Sequence, residues 1–488
     1  AVEGAVATRL IEVARPRAHA SGTEARIGVL ALAAAGPTAL DALGEVLLDE
    51  QASVAARAEA ARQLARLANE GRSRLAQLAA QLLPHPSVDD PRLTNAQWAV
   101  LSSVMDGLQP PLQAALLEPL KALASLPLAD SQPALLQRRV VHLRCRAADL
   151  LAGAASKSRW LEDCDPAHGV QGKLAELRVL ARRELKASRL RRAQQLATEG
   201  EPLVRMRALE LLATAGEVNG SWAIWKQALG ADSPGVVATA ARTLAGRPEL
   251  GGAKASETEV PHPHPELIAA LQAAFAKDRG PDSAAVRSAL IDAAGALQVL
   301  SLRAAVLQAC KSPQRALREH AASALQRLGE IEGGCGVVEG PALEFSQPPD
   351  KVTLEVTTDA GPLTLEVDST SAPAAAARLL ELVASHYYDG LVVHRVVPGL
   401  IVQFGDRGAD GYGGASLPSL PSELGPQPFV GRDLGVALAG PDTGGAQLFV
   451  TLAPYPELTG EYPWLGRAGA GWELLAEGDR IERVTVRP

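Results

Sequence analysis

Arg395 stands inside LVVHRVVPGLIVQF (391–404), where almost every neighbour is apolar. A guanidinium keeps its charge and presents a rigid fork of N–H donors. Between two hydrophobic runs it has two readings. It is a solvated or ion-paired strand residue, with Asp406 or Glu381 as partner, or it is a fixed donor set beside an apolar pocket. Other polar groups offer less. PHPHP at 261–265 supplies two histidines, but a metal site needs more ligands and none is near in sequence. It reads as a loop ending at Pro265, the first residue of a helix with Glu266 in its first turn. Asp163, Cys164, Asp165 and His168 cluster in turn-like composition. GPDTGGAQ at 440–447 lacks the lysine and hydroxyl residue of a phosphate loop and lies between strand-like runs. No metal is expected.

The elements that must position these groups fall into two classes. Up to about residue 340 the pattern is helical. VRMRALELLA (204–213), LRCRAADLLA (143–152), VVATAARTLA (236–245), VRSALIDAAG (286–295), LREHAASALQ (317–326) and VAARAEAARQ (54–63) each carry one apolar, small-residue face. Val204 to Val236 is 32 residues and Val286 to Leu317 is 31. That period, with one helix pair per unit, reads as an α-solenoid and resembles HEAT repeats, including the "DSP" and "KSP" turns at Asp232–Pro234 and Lys311–Pro313. A lone helix pair cannot hide its apolar face, and stacking leaves a long surface that serves either as a protein-binding scaffold or as a spacer.

After Leu328 glycines and prolines take over, and 341–350 reads as a linker between units at 1–340 and 351–488. Few contacts are expected to cross it. Beyond it the period is two. Residues 352–356 and 363–367 flank Asp359-Ala360-Gly361 as a hairpin. Ser369–Ser371 are expected to cap an apolar-striped helix with Pro373 in its first turn. Strands are predicted at Leu391–Val397, Leu400–Phe404, Leu434–Leu438, Gln447–Leu452 and Ile481–Val486. Many strands and few helices suggest a closed antiparallel barrel with capping helices.

APAAAARLLELVASHYYDG (372–390), VVHRVVPGLIVQFGD (392–406), GVALAGPDTGGAQLFVTLA (435–453) and LTGEYPWLGRA (458–468) together resemble the cyclophilins, which are peptidyl-prolyl cis-trans isomerases, in order and spacing. The resemblance spans about Val352 to Val486. It implies an eight-stranded barrel with its pocket on the outer wall, no cofactor, and Pro-containing polypeptide substrates. It makes Arg395 the catalytic group, with Leu400, Ile401, Gln403, Ala437, Gln447, Phe449, Leu458 and Tyr462 binding substrate. The alternative is a weakly active or inactive binding module for Pro-containing segments. Several positions depart from the family pattern. Leu400 stands where phenylalanine is common, Glu457 where the cyclosporin-binding members have tryptophan, and Tyr462 where histidine is frequent. Leu448 and Leu465 replace phenylalanines and Leu438 an asparagine, implying a pocket with less aromatic surface.

Charge excludes one function class. Residues 350–488 carry 9 Lys and Arg against 18 Asp and Glu, and the rest 39 against 37, so neither part has the basic footprint of a nucleic-acid binder. No apolar run reaches the ~18 residues of a membrane span. The chain starts at Ala1 and is read as having lost an upstream segment, with no signal peptide in what remains. The four cysteines read as four buried thiols or as local pairs, Cys145–Cys164 and Cys310–Cys335. The pairing is favoured, and with it a periplasmic or otherwise exported setting over a cytoplasmic one.

Overall fold

The computed structural model describes every residue except 1, 20–22, 84–94, 110, 127–133, 155–169, 182–187, 216–221, 247–264, 278, 281–282, 330–333, 339–342, 398 and 488. His262, His264, Asp163, Cys164, Asp165 and His168 lie outside the described residues.

Before residue 330 the described elements are helices. They pack in two rows. Val170–Ala181, Pro202–Thr214, Pro234–Ala245, Ala284–Ala296 and Arg315–Arg327 lie side by side in succession, and Ser188–Glu199, Trp222–Leu229 and Pro265–Ala276 form a second row against them. Alanine makes this close approach possible: Ala238, Ala240, Ala241, Ala293 and Ala294 are all buried. One apolar core runs from Ala14 to Leu151 and a second from Leu174 to Leu328. The "DSP" turn works as a helix start. Ser233 Oγ accepts a hydrogen bond from the Val236 N–H at 3.2 Å, and Pro234 fills the first position, where no N–H is needed. Cys310 is bonded to Cys335. Cys145 is also disulfide-bonded.

The rest of the chain is one antiparallel sheet with a helix at Pro373–Ala384. Its strands are β1 (Lys351–Thr358), β2 (Gly361–Asp368), β3 (Arg395–Val397), β4 (Ile401–Phe404), β5 (Asp433–Val436), β6 (Leu448–Thr451), β7 (Trp464–Ala468) and β8 (Ile481–Val486). They are ordered β3-β4-β6-β5-β7-β2-β1-β8. β1 and β2 form the expected hairpin, with Thr358 opposite Gly361. The expected closed barrel is corrected. The edge strands β3 and β8 do not pair, and the sheet rolls into a half-barrel. β3 is only three residues long, and the chain before it meets the start of β8 through the single bridge Val392↔Arg480 and its flanking backbone bonds, too short a run for a ladder. The helix start also differs from expectation. No serine caps it; the Glu423 carboxylate accepts from Ala374 N–H at 3.0 Å and Ala375 N–H at 2.9 Å.

The two parts touch extensively, contrary to the expectation of a sparsely crossed linker. Arg139 stacks 4.3 Å over Trp98 and reaches across to the Leu474 carbonyl and to Asp479, 3.4 Å away; both charged side chains are buried. Asp410 accepts hydrogen bonds from Ser233 Oγ at 2.6 Å and Gly235 N–H at 2.9 Å. Ala316 N–H donates to the Pro441 carbonyl at 3.2 Å. On another side, Arg62 abuts Gly399 in the β3–β4 turn; a Cβ on that glycine would overlap its guanidinium. Glu59 anchors Arg62 at 2.8 Å and Arg26 at 2.9 Å.

Burial alone would raise the Glu59 carboxyl, but Arg62 and Arg26 overcome it and hold the group down at about 2, below its ordinary 4.5. A depressed carboxyl contributes stability that is present above pH 4.5 and is lost as pH falls towards 2. We expect the stability advantage of the parent over Glu59→Gln, by urea denaturation, to shrink by about 2 kcal/mol between pH 6 and pH 3. A difference constant with pH would refute this account of Glu59.

Candidate functional site

The register of three strands sets the site. Side chains directly opposite one another in a sheet share a face, and neighbours along a strand alternate. Arg395 pairs with Gln403, and Gln403 pairs with Phe449, so β3, β4 and β6 carry one row on one face. The other face of the same strands puts Val402, Phe404, Leu448 and Val450 into the core. This alternation allows an arginine inside an apolar run: its neighbours are needed on the inside and its own side chain on the outside.

Hydrogen bonds orient the row. Arg395 Nη1 donates to Gln403 Oε1 at 3.2 Å, Gln403 Nε2 to Gln447 Oε1 at 2.8 Å, and Gln447 Nε2 to the Gly413 carbonyl at 2.7 Å. The ion-pair reading of Arg395 does not hold among the described residues. Asp406 turns into its own loop, accepting from Gly408, Asp410 and Gly411 N–H, and Glu381 lies beside Arg378. The guanidinium therefore remains exposed, with donors unspent on carboxylates. Next to it in the chain, His394 is buried, which pushes its imidazole down to about 4 and leaves it neutral near pH 7.

Phe449 sits in an aromatic cluster. It stacks on Phe429, centroids 5.7 Å apart, and meets the Tyr462 ring edge-on at 5.6 Å. Leu400 and Ile401 are half-buried at the β3–β4 turn, and Leu458 is half-buried in the turn that leads to Tyr462. Ala437 N–H donates to the Gln447 carbonyl at 2.9 Å, and both residues line a cavity of about 90 Å³. Arg395, Gln403, Gln447 and Phe449 thus come together as a row. Ile401 shares its face; Ala437 borders the cavity; Tyr462 packs on Phe449, and Leu458 lies in the turn before Tyr462. Chemically, the arrangement offers a charged donor fork next to an apolar, aromatic surface. Among the described residues no group of three or more His, Cys, Asp or Glu could hold a metal ion.

Two readings change. Leu448 and Leu465, expected to reduce the aromatic surface of the pocket, are core residues. The aromatic cluster there consists of Phe429, Phe449 and Tyr462, and Phe429 was not anticipated. Tyr387 and Tyr388 were part of a recognised stretch but had no assigned role. Their hydroxyls donate to the Gly405 and Ala446 carbonyls, each at 3.0 Å, and brace the two loops that frame Gln447. A paired tyrosine just before the β3 run was the available signal. Tyr412, Ala284 and Ala285, which also line the 90 Å³ cavity, come from segments with no such signal.

Comparison with known proteins bears on the same region. The family described as cyclophilin type peptidyl-prolyl cis-trans isomerase/CLD matches residues 353–487. The chain is 40% identical over 140 residues to peptidyl-prolyl cis-trans isomerase-like 1 of Mus musculus, covering 28% of this chain and 82% of that protein. It is 34% identical over 134 residues to a peptidyl-prolyl cis-trans isomerase of Synechococcus elongatus, covering 26% and 92%. It is 35% identical over 154 residues to peptidyl-prolyl cis-trans isomerase-like 2 of Cryptococcus neoformans var. neoformans, covering 30% of this chain and 26% of that protein, so it spans about a quarter of that relative's length.

Gly435 of β5 sits opposite Phe449, and an added Cβ would lie 2.5 Å from its Cζ and 3.1 Å from Phe429 Cε1. Only glycine lets the ring lie flat across the strand. We expect Gly435→Ala to destabilise the protein by about 1–3 kcal/mol through overpacking, measured by denaturant unfolding. A change under about 0.5 kcal/mol would show that the rings can shift to accept it.

Proposed function

The chain belongs to the cyclophilin-type peptidyl-prolyl cis-trans isomerase family, and from that premise we propose that its sheet unit accelerates isomerisation of Xaa-Pro bonds in polypeptides, with Arg395 as the catalytic residue. The observation that carries this is the row Arg395–Gln403–Gln447 beside Phe449. An Xaa-Pro bond resists rotation because the proline nitrogen shares its lone pair with the carbonyl, giving a barrier of ~18–20 kcal/mol. As the bond twists, that nitrogen pyramidalises and its lone pair localises. A guanidinium donor placed at the nitrogen favours this state over the planar one, and the same fork can hold the substrate carbonyl. The proline ring would lie on Phe449, with Leu400, Ile401, Leu458 and Tyr462 around it. Gln403 would fix the guanidinium, Gln447 would hold Gln403, and Ala437 would border the neighbouring subsite. The reaction needs no nucleophile, metal or cofactor. The completeness of the row favours this reading over a weakly active or inactive binding module.

We propose further that residues 1–340 form a HEAT-like α-solenoid, a reading supported by the two rows of helices, and that 341–350 links it to the isomerase unit at 351–488. A protein-binding role for the solenoid is the expectation that goes with stacked helix pairs. The Cys310–Cys335 bond supports an exported, periplasmic-type setting. Among the described residues no helix is long and apolar enough to cross a membrane.

Uncatalysed exchange takes tens to hundreds of seconds, so exchange NMR on an Xaa-Pro peptide tests the activity directly. Arg395→Ala should lower kcat/KM by two to three decades, about 3–4 kcal/mol, as for one preorganised donor, with little loss of stability. Arg395→Lys should rescue little, because a point-charge ammonium cannot serve both atoms. Wild-type rates in a folded Arg395→Ala protein would overturn the assignment, and no acceleration by the parent would favour the binding module. Cyclosporin-type inhibitors should bind poorly. Exposed Glu457 stands where the drug-binding members offer an indole, and its carboxylate would lose solvation without gaining that contact. A sub-micromolar dissociation constant by calorimetry would count against this.

A further inference from the structure

The cavity of about 90 Å³ beside Gln403 and Gln447 has a wall that the sheet unit does not supply: Ala284 and Ala285, the first residues of the helix Ala284–Ala296. The remaining walls are the loop at 411–414 and the loop at 437–446. Resting on the isomerase reading, we propose that the helical array is the size filter of the substrate site, and that Ala284 and Ala285 limit this cavity to a small side chain, glycine, alanine or serine, flanking the Xaa-Pro bond.

Distance along the sheet places a substrate side chain there. Gln447 lies two residues before Phe449, roughly 7 Å along an extended strand, which is also about the span of two residues of an extended peptide. A peptide with its proline on Phe449 that runs along β6 towards Gln447 would carry a neighbouring side chain to the cavity that Gln447 lines. The volume of about 90 Å³ is well under the ~150 Å³ of an apolar cavity that takes up benzene, so it suits a small side chain and not an aromatic ring.

The wall cannot easily retreat, because the array grips both loops. Asp410, in the first loop, accepts from Ser233 Oγ and Gly235 N–H at the start of the helix Pro234–Ala245. Carboxylates are favoured at helix N-termini, and these bonds hold the loop although burial raises the Asp410 carboxyl above its ordinary value. The contact is close: a Cβ on Gly235 would lie 2.8 Å from the Asp410 side chain. Arg242, further along that helix, stacks 4.8 Å over the Tyr412 ring. In the second loop, Pro441 accepts from Ala316 N–H, and Gly440 approaches Ala316 so closely that an added Cβ would lie 2.7 Å from the alanine Cβ. Ala284 itself is 4% exposed.

The test is exchange NMR with the full-length chain on Xaa-Pro peptides whose flanking residue, on one side and then the other, is Gly, Ala, Leu or Trp. On one side only, kcat/KM should fall at least tenfold from Ala to Trp. Ala285→Leu, folded by circular dichroism, should extend that loss, lowering the Ala-to-Gly rate ratio several-fold. Ala285→Gly, which removes one methyl, should raise the Leu-to-Ala ratio several-fold and serves if Ala285→Leu does not fold. Equal rates for Ala and Trp peptides on both sides, or rate ratios unchanged by the folded variant, overturn the size filter and leave the isomerase reading intact. Acceleration of no peptide overturns both.

Discussion

Everything at the site depends on strand register. Arg395, Gln403 and Phe449 are cross-strand partners, and a slip of one residue in β4 would send Gln403 into the core and Val402 onto the pocket face. The core prevents that slip. Val402, Phe404, Leu448 and Val450 bury their side chains on the inner face, and exposing even one would forfeit about 2 kcal/mol. The apolar residues around the arginine are thus the reason it stands where it does. Their burial fixes the alternation, and the alternation puts the guanidinium on the same face as Phe449.

A second constraint links this row to the helical array. Gln447 is held by the Gly413 carbonyl, and the loop that carries Gly413 is held by Asp410 at a helix N-terminus. Arg395 therefore stands at one end of a run of contacts that passes through two glutamines and a loop into the array. At the opposite flank, Arg62 meets the β3–β4 turn at Gly399, next to Leu400. The buried Glu59 carboxylate fixes that arginine. Both sides of the site are thus bounded by helices distant in sequence, and the joints are charged or hydrogen-bonded groups shielded from water, where a lost partner is expensive.

The sheet unit was legible because its signals are local. Period-two patterning found the hairpin and most strands, and the quoted motifs placed Arg395, Gln403, Gln447 and Phe449 in one neighbourhood. β7 was not predicted as a strand, since Trp464–Ala468 is short and contains a glycine. Closure was misjudged for a related reason: strand number can be counted in a sequence, but whether two edges meet depends on a bridge between residues almost ninety positions apart. Glu423 as helix cap was hidden by the same distance, and nearby serines offered a plausible local substitute.

The joint between the parts was the least legible feature. Its residues are ordinary in sequence: Asp410 looks like a loop aspartate, Ser233 like a cap for its own helix, and Ala284 and Ala285 like two alanines among many. A Gly- and Pro-rich connection suggested independent units, because linker composition reports on the connection and not on the surfaces it connects. Those surfaces were shaped for contact at single atoms. Gly235 leaves room for the Asp410 carboxylate, and Gly440 leaves room for Ala316. Small residues at such points carry no chemistry that a motif would reveal, yet they decide how closely a helix can approach a substrate site. An array that approaches this closely can shape what the isomerase unit accepts, which a flexible tether would not do.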